Sequence, residues 1–404
     1  MSEVPKRPSL PTATLNDVAE SIVDGPFGSN LKTSDYVESG VPVLQGKNIT
    51  GNRFVWKEVR YISEEKAEQL MRSSTVLGDH LLIKIGSIGY SAILDNLNGH
   101  PFAIIPANLA RIRPDRSVVD DQYLHRVLTS DFVSRHFQKV ASKTAQPALS
   151  LKKIKATAIP LPPLAEQKRL AGILDAADAL RAKRRESLAQ LDSLLQSTFL
   201  DMFGDPMTNP MGWEEHSIDS VFEVARGGSP RPIDAYLTES EDGLNWIMIG
   251  DAVEGSRYIS STKKRIKPEG LKRSRMVHEG DFLLTNSMSF GKPYILKTEG
   301  CIHDGWLVLS PKDKRVSADF FYSLLSTGAL YREFKKRAAG AVVKNLNTKL
   351  VKQVSVPVPP LDLQHRFATI VESVEKQRAI QRAHLAELDT LFASLQSRAF
   401  CGDL

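Results

Sequence analysis

Cysteine is nearly missing from this chain: Cys301 and Cys401 are the only two in 404 residues, far apart and in no metal-ligand spacing. A disulfide framework and a thiolate metal site are excluded by that count, and a reducing cytosol is the natural compartment. Long apolar runs are missing too. The N-terminus, MSEVPKRPSL, has no apolar core, and nowhere do about 18 apolar residues run together, so a soluble, unexported, cytoplasmic protein is expected. Catalytic signatures are also absent. Gly40 to Asn48, GVPVLQGKN, has the wrong glycine spacing for a Walker A loop and lacks the Ser or Thr that magnesium needs; Ile85 to Gly89, IGSIG, reads as a tight turn between strands. There is no GxSxG elbow, and the nine histidines form no HExxH pair. The carboxylate pairs Glu64-Glu65 and Asp120-Asp121 suit helix starts better than acid/base work. No Asn-Pro-Pro-Phe type tetrapeptide is present to clamp a flipped adenine, the nearest being Asn209-Pro210 followed by Met211-Gly212. What remains is a binder without chemistry of its own.

What is present begins with length and charge. The chain is too long for one ordinary domain, and 42% hydrophobic residues suffice for two modest cores. A formal net charge of +6, from 53 basic against 47 acidic residues, leans mildly towards a polyanionic partner.

The chain is organised around a stretch that it repeats. Ile159 to Leu195 and the segment 197 positions later share 16 identities over 37 residues. Each copy opens with a proline cluster, Pro160, Pro162 and Pro163 against Pro357, Pro359 and Pro360, which suits the entry to a helix and not its interior. A helix of about 36 residues is predicted after each cluster. Leu170, Leu174, Ala177, Leu188, Leu191 and Leu195 form an apolar seam in the first, and Phe367, Val371, Val374, Leu385, Leu388 and Phe392 keep the same phase in the second. Matching seams predict antiparallel pairing. The seam breaks at Arg181 and Arg184 in one copy and at Arg378 and Gln381 in the other. These residues either form a polar layer that fixes register or extend to solvent beside the stem.

Two α+β units fill the rest. Residues 1–158 carry short β-type runs at VPVLQ (41–45), FVWKEVRYI (54–62), HLLIKI (80–85) and FAIIP (102–106), then a helix predicted over Asp120 to Val140. Residues 206–355 repeat that order: WEEHSIDSVFEVARGGSP answers LNDVAESIVDGPFGSN, and VHEGDFLLTNSMSFGKPYIL answers VLGDHLLIKIGSIGYSAIL. Residues 159–205 and 356–404 are the helical segments. The two units agree at Gly78-Asp79 and Gly280-Asp281 and diverge where side chains would face a partner.

Candidate nucleic-acid contacts are turns with basic and amide side chains, because Arg and Lys suit guanine and phosphate while Asn and Gln suit adenine. In the first unit these are Ser29, Asn30 and Lys32; Gln45, Lys47 and Asn48; and Lys143, Thr144 and Gln146. In the second they are Arg226, Ser229 and Arg231; Asn286, Ser287 and Lys292; and Lys344 and Asn345. The run KKRIKPEGLKRSR, with Lys263, Lys264, Arg265 and Lys267, reads either as a phosphate contact or as an exposed charged loop.

IPLPPLAEQ at Ile159 to Gln167, FGDPMTNPMGW at Phe203 to Trp213 and VPVPPLDLQ at Val356 to Gln364 together resemble the specificity subunit of type I restriction-modification systems. The second copy departs from the first at Asp362-Leu363, where the first has Ala165-Glu166. The resemblance covers essentially the whole chain. It implies two target recognition domains, each reading one half of a split DNA sequence, and helices that act as ruler and as dock for two modification subunits. It implies no catalysis by this chain. S-adenosylmethionine, ATP and magnesium would belong to the modification and restriction partners. The alternatives are a coiled-coil scaffold binding proteins and a stand-alone DNA-cutting enzyme, the latter with no more than Glu64-x-Lys66 to support it.

Overall fold

Both long helices start where their proline clusters end. The computed structural model describes residues 10–26, 30–142, 146–253, 255–286, 291–312, 315–339 and 346–404. In it the first long helix spans Leu164–Phe203 and the second Leu361–Cys401. At 40 and 41 residues they are a turn longer than the repeat alone suggested, about 60 Å each. No helix among the described residues is long and apolar enough to cross a membrane.

By its contacts the chain divides into two compact units, Met1–Arg184 with His384–Leu404, and Arg185–Ala383. Each unit therefore contains the head of one long helix and the tail of the other. Within the first unit the two segments run antiparallel: Arg169 Nη2 donates to Leu404 O at 2.8 Å and Arg181 Nε to Asp389 Oδ1 at 2.6 Å. Within the second, Arg378 Nη2 lies 2.8 Å from Asp192 Oδ1, and the Phe367 ring meets Phe199 and Phe203 at 5.6 and 5.5 Å. The seam is buried at the helix heads and half-buried at the tails, at Leu188, Leu191, Leu195, Leu385, Leu388 and Phe392. Leu170, Leu174, Ala177, Phe367, Val371 and Val374 are all buried. Arg181 and Arg378 do not extend freely to solvent. Each pairs with a carboxylate on the facing helix, and Arg181 also lies 4.3 Å over the Phe392 ring.

A buried glutamine fastens each helix head. Gln167, 1% exposed, accepts from Asp120 N at 2.9 Å and donates to Val118 O and Pro162 O at 3.1 and 2.8 Å. Gln364 repeats this: it accepts from Ser317 N at 3.0 Å and donates to Arg315 O and Pro359 O at 3.1 and 2.9 Å. The residues that differ between the copies of the motif lie elsewhere, since Glu166 pairs with the exposed Arg169. The glutamine, with the prolines that start the helix, is kept in common by the two copies.

The strands repeat with the same register. In the first unit Ser91–Ile93, His80–Ile83, Leu109–Pro114 and Ala19–Asp24 form an antiparallel sheet in that order. In the second, Pro293–Leu296, Phe282–Thr285, Trp306–Pro311 and Phe222–Arg226 follow the same order, with Tyr258–Ile259 added parallel at the edge. A second, five-stranded sheet recurs in each unit: Tyr36–Val37, Arg60–Ile62, Val41–Val43, Ala103–Ile104 and Ser74–Thr75 in one, Leu237–Thr238, Lys264–Ile266, Leu244–Ile247, Gly300–Ile302 and Met276–Val277 in the other. A two-strand clasp closes each unit, Thr12–Thr14 with Ala158–Pro160 and Glu215–Ser217 with Ser355–Pro357. The Gly-Asp pairs form one turn twice. Gly78 and Gly280 hold φ of +85° and +92°, and the Asp79 and Asp281 carboxylates accept from Val76 N and His278 N at 2.9 and 2.8 Å. A positive φ is what glycine tolerates without strain.

Two sequence expectations need correction. The helix predicted over Asp120 to Val140 is two helices, Asp121–Leu128 and Asp131–Val140, because Asp120 and Ser130 each cap a new start by accepting from Tyr123 N and Val133 N. The run FVWKEVRYI is likewise split between Arg53–Phe54 and Arg60–Ile62, with Glu58 at φ +50° in the turn between them.

The first unit also buries an imidazole where the second has a phenyl ring. His80 faces Ile112 in the sheet as Phe282 faces Leu309, and among the described residues neither of its ring nitrogens has a hydrogen-bond partner. Burial, reinforced by nearby His125, pulls His80 down to about 3, and burial beside Arg126 pulls His125 down to about 4.

Removing either glutamine leaves two or three backbone groups unpaired at roughly 1–3 kcal/mol each. Gln167→Ala and Gln364→Ala should therefore each lose about 2 kcal/mol or more in urea denaturation, and a loss under about 0.5 kcal/mol would show that water replaces the side chain. For the histidines the folded values lie below the unfolded 6.5, so their stabilisation is complete above pH 6.5 and drains as pH falls towards 4 and 3. The slope approaches about 1.4 kcal/mol per pH unit per histidine. In urea titrations between pH 7.5 and 5, His80→Phe should flatten that slope. An unchanged slope would mean that His80 does not stay neutral in the folded chain.

Candidate nucleic-acid interface

In the second unit the strand Phe222–Arg226 leads into a loop that only glycine can seat. A Cβ on Gly227 would lie 2.2 Å from His303 O, and one on Gly228 would lie 2.5 Å from Arg273 O. Gly227 N donates to Trp306 O at 3.0 Å and Gly228 N to Ile302 O at 3.2 Å. This close approach draws three loops to one point, the residue Asp304.

Asp304 binds all of them. Its backbone carbonyl accepts from Arg226 Nε at 3.1 Å and from Asn286 Nδ2 at 2.7 Å. Its carboxylate Oδ1 accepts from Ser229 Oγ at 2.7 Å and lies 3.0 Å from His303 Nε2. Oδ2 faces the exposed Arg231 guanidinium at 3.9 Å. Exposed Arg273 donates to Arg231 O and exposed Arg275 to Arg226 O, both at 3.2 Å, and so brace the backbone of the two arginines that touch Asp304. Burial pushes the Asp304 carboxyl up, but the Ser229 hydroxyl, His303 and Arg226 outweigh it and hold the group below the usual carboxylate range.

The basic run continues from this cluster. Lys264–Ile266 is a strand and not a free loop, followed by a 3-10 segment, Pro268–Arg273. Lys263, Lys264, Arg265 and Lys267 are exposed. Lys263, Arg265 and Lys267 donate to the carbonyls of Gly250, Glu241 and Ala235 at 3.2, 3.2 and 3.0 Å, while the Lys264 ammonium has no partner among the described residues. Lys263, Lys264 and Arg265, with Thr238, Glu239 and Thr262, line an open cleft of about 650 Å³. A row of exposed ammonium and guanidinium groups needs no fine geometry to meet phosphate.

The first unit places different groups on the same backbone. Asp24 pairs with Ala110 as Arg226 pairs with Leu307, and Lys84 N donates to Asn108 O as Asn286 N donates to Gly305 O. Where the second unit has Arg226 and Asn286, the first thus has Asp24 and Lys84, a buried ion pair at 2.6 Å. Exposed Arg72 stands 3.9 Å from Asp24, and Ser73 Oγ donates to Asp24 O at 3.0 Å. Gly25 is wedged as Gly227 is, its Cβ position lying 2.2 Å from Ile105 O.

The sequence-derived candidates separate accordingly. Arg226, Ser229, Arg231 and Asn286 converge on Asp304. Asn30, Lys32, Gln146 and Lys292 are exposed, Gln45 is half-buried, and Lys47 is tied to Glu58 at 3.1 Å. Two need correction as surface contacts. Asn48 is wholly buried and closes a turn, accepting from Gln45 N and donating to Val55 O and Lys57 O. Asn286 is 2% exposed and its amide is committed to Asp304. Ser29, Lys143, Thr144, Ser287, Lys344 and Asn345 lie outside the described residues. Asp304, His303, Arg72 and Lys84 were not chosen from sequence, while Arg273 falls in the basic run without having been singled out. The one signal was the Asp304-Gly305 turn ahead of a hydrophobic strand.

Two units of one backbone plan thus carry different polar groups at equivalent loop positions. The chain belongs to the family of the type I restriction modification DNA specificity domain, which it matches twice, over residues 12–191 and 210–390. It is 24% identical over 394 residues to the putative type I restriction enzyme MjaX specificity subunit of Methanocaldococcus jannaschii, covering 93% of this chain and 89% of that protein. To the type I restriction enzyme EcoBI specificity subunit of Escherichia coli it is 26% identical over 293 residues, covering 63% and 60%. Among solved structures, the S subunit of the type I restriction-modification system from M. genitalium matches over 99% of this chain and 98% of its own, with a TM-score of 0.52 at 16% identity. A chain from a study of complex assembly in a type I restriction-modification system matches over the full length of both, with a TM-score of 0.58 at 19% identity. These likenesses concern the fold.

Proposed function

We propose that this chain is the sequence-reading subunit of a type I restriction-modification complex, with each unit recognising one half of a bipartite DNA site. The observation that carries the reading is the pair of equivalent loops: one backbone, strand for strand, holds Asp24 and Lys84 in one unit and Arg226, Asn286 and Asp304 in the other. A common scaffold with exchanged polar groups is what two readers of different sequences require, since phosphate contacts position a protein and base contacts specify. The exposed arginines and the Lys263 to Lys267 row supply the positioning charge.

The two long helices set the unread spacer and dock modification subunits in this reading. Support for docking comes from apolar residues exposed on the helices away from the seam: Leu180 and Leu391 in the first unit, Leu194 and Ile380 in the second, each about half exposed. S-adenosylmethionine belongs to the modification subunits, and ATP and magnesium to restriction subunits. Turning out a base for methylation is then the partners' task.

The test lengthens the helices. Arg378 opposite Asp192 sets a register that puts Ala383 opposite Ser187. Four residues inserted after each of these two positions add about 6 Å and about 40° of turn. Methylation mapped on a spacer-randomised library with the reconstituted complex should show the same half-sites separated by one or two more base pairs, at about 3.4 Å each. An active, folded mutant with an unchanged spacer would leave the helices as a dock and no ruler.

A further inference from the structure

Asp304 is out of place in a phosphate-binding patch. Its carbonyl accepts from Arg226 and its carboxylate faces Arg231, while Arg273 and Arg275 donate to the backbones of those two arginines; its side chain is a third exposed. A carboxylate repels phosphate, so its position beside Arg226 and Arg231 calls for a different ligand. Its geometry is also fixed from every side. Gly305 N donates to His303 Nδ1 at 2.9 Å, which leaves the imidazole proton on Nε2, aimed at Asp304 Oδ1. Ser229 Oγ donates to the same oxygen and accepts from Asp304 N at 3.3 Å, locking the side chain to its own backbone. Oδ2 has no partner among the described residues closer than Arg231 at 3.9 Å, and so keeps free acceptor capacity. An oriented, ionised acceptor with one free oxygen suits a neutral N–H donor.

We propose that Asp304 is a specificity-determining residue whose Oδ2 accepts a hydrogen bond from the exocyclic amino group of a base, N4 of cytosine or N6 of adenine, in the half-site read by the second unit. Carboxylates are known acceptors for cytosine N4 in the major groove. The first unit has Ala107 at the equivalent place, one residue before Asn108 as Asp304 precedes Gly305. A methyl group there can accept no hydrogen bond, so the two units differ at this point in the very capacity the proposal invokes. The inference rests on the DNA-specificity reading.

Three forms of the chain, wild type, Asp304→Asn and Asp304→Glu, are reconstituted with modification subunits and their methylated sites mapped in a randomised library. Asp304→Asn should lower discrimination at one base pair of one half-site by about tenfold, within the roughly 1–3 kcal/mol typical of one base contact, leaving the other half unchanged. Asp304→Glu, which moves the acceptor by one methylene, should alter preference at that same pair. A C·G pair there names N4 and an A·T pair names N6. Replacing that base by an analogue lacking its amino group should weaken wild-type binding about tenfold and leave Asp304→Asn binding unchanged. Preferences unchanged at every position, or a uniform loss over all sequences in both variants, would overturn the assignment while leaving the bipartite reading intact. A wild-type complex with no sequence preference would overturn both.

Discussion

Each unit depends on a buried side-chain amide that welds a helix to a sheet domain. Gln167 and Gln364 use their oxygen and nitrogen on three backbone groups apiece, joining the proline entry of a long helix to the loop that precedes the helical pair of its own unit. An apolar contact could slide along the helix, whereas three hydrogen bonds inside a dry site fix one register. The tail of the other helix then completes the core. In the first unit Phe400 packs at 6.0 Å on Tyr123, whose hydroxyl donates to Pro160 O; in the second Phe203 packs at 4.8 Å on Phe320. Head, tail and helical pair thus recur as one assembly in both halves of the chain.

On that frame the loops are free to differ, within limits set by energy. The Asp24–Lys84 pair is desolvated on both sides, and losing one partner of such a pair costs roughly 3–5 kcal/mol. It therefore belongs to the scaffold of its loop as much as to its surface. The exposed Lys47–Glu58 pair is screened by solvent and can be exchanged at little cost. Around Asp304 the balance is intermediate: its backbone contacts hold the loop, and its carboxylate is partly open to a ligand. The wedged glycines Gly25 and Gly227 keep this arrangement in both units, because no larger residue fits against the facing carbonyls.

Much of the architecture was legible in the sequence, and the reason is periodicity. The proline clusters, the seam and the 197-residue shift are local or translational patterns, and they gave the repeat, the helices and the α+β class. The break at Thr129-Ser130 was missed because the apolar spacing continues across it, and only the capping hydroxyl of Ser130 ends the run. The interface was less legible. Basic and amide residues in turns are visible, but the fate of each depends on contacts distant in sequence: Asn286 reaches Asp304 across 18 residues, Ser229 across 75, and Lys84 reaches Asp24 across 60. Asn48 looked like a surface amide and is a turn-closing one, since its partners Val55 and Lys57 follow on a strand connection that its own side chain creates.

The central claim is that the two sheet domains read DNA independently on a common helical frame. The most direct measurement exchanges residues 218–354, the stretch enclosed by the Glu215–Ser217 and Ser355–Pro357 clasp, for the corresponding stretch of another family member with a known target. Methylation sites of the reconstituted complex are then mapped genome-wide. Independent reading requires that one half of the recognised sequence change to the donor's while the other half stay as before. A change in both halves, or in neither with the complex still active, would contradict it.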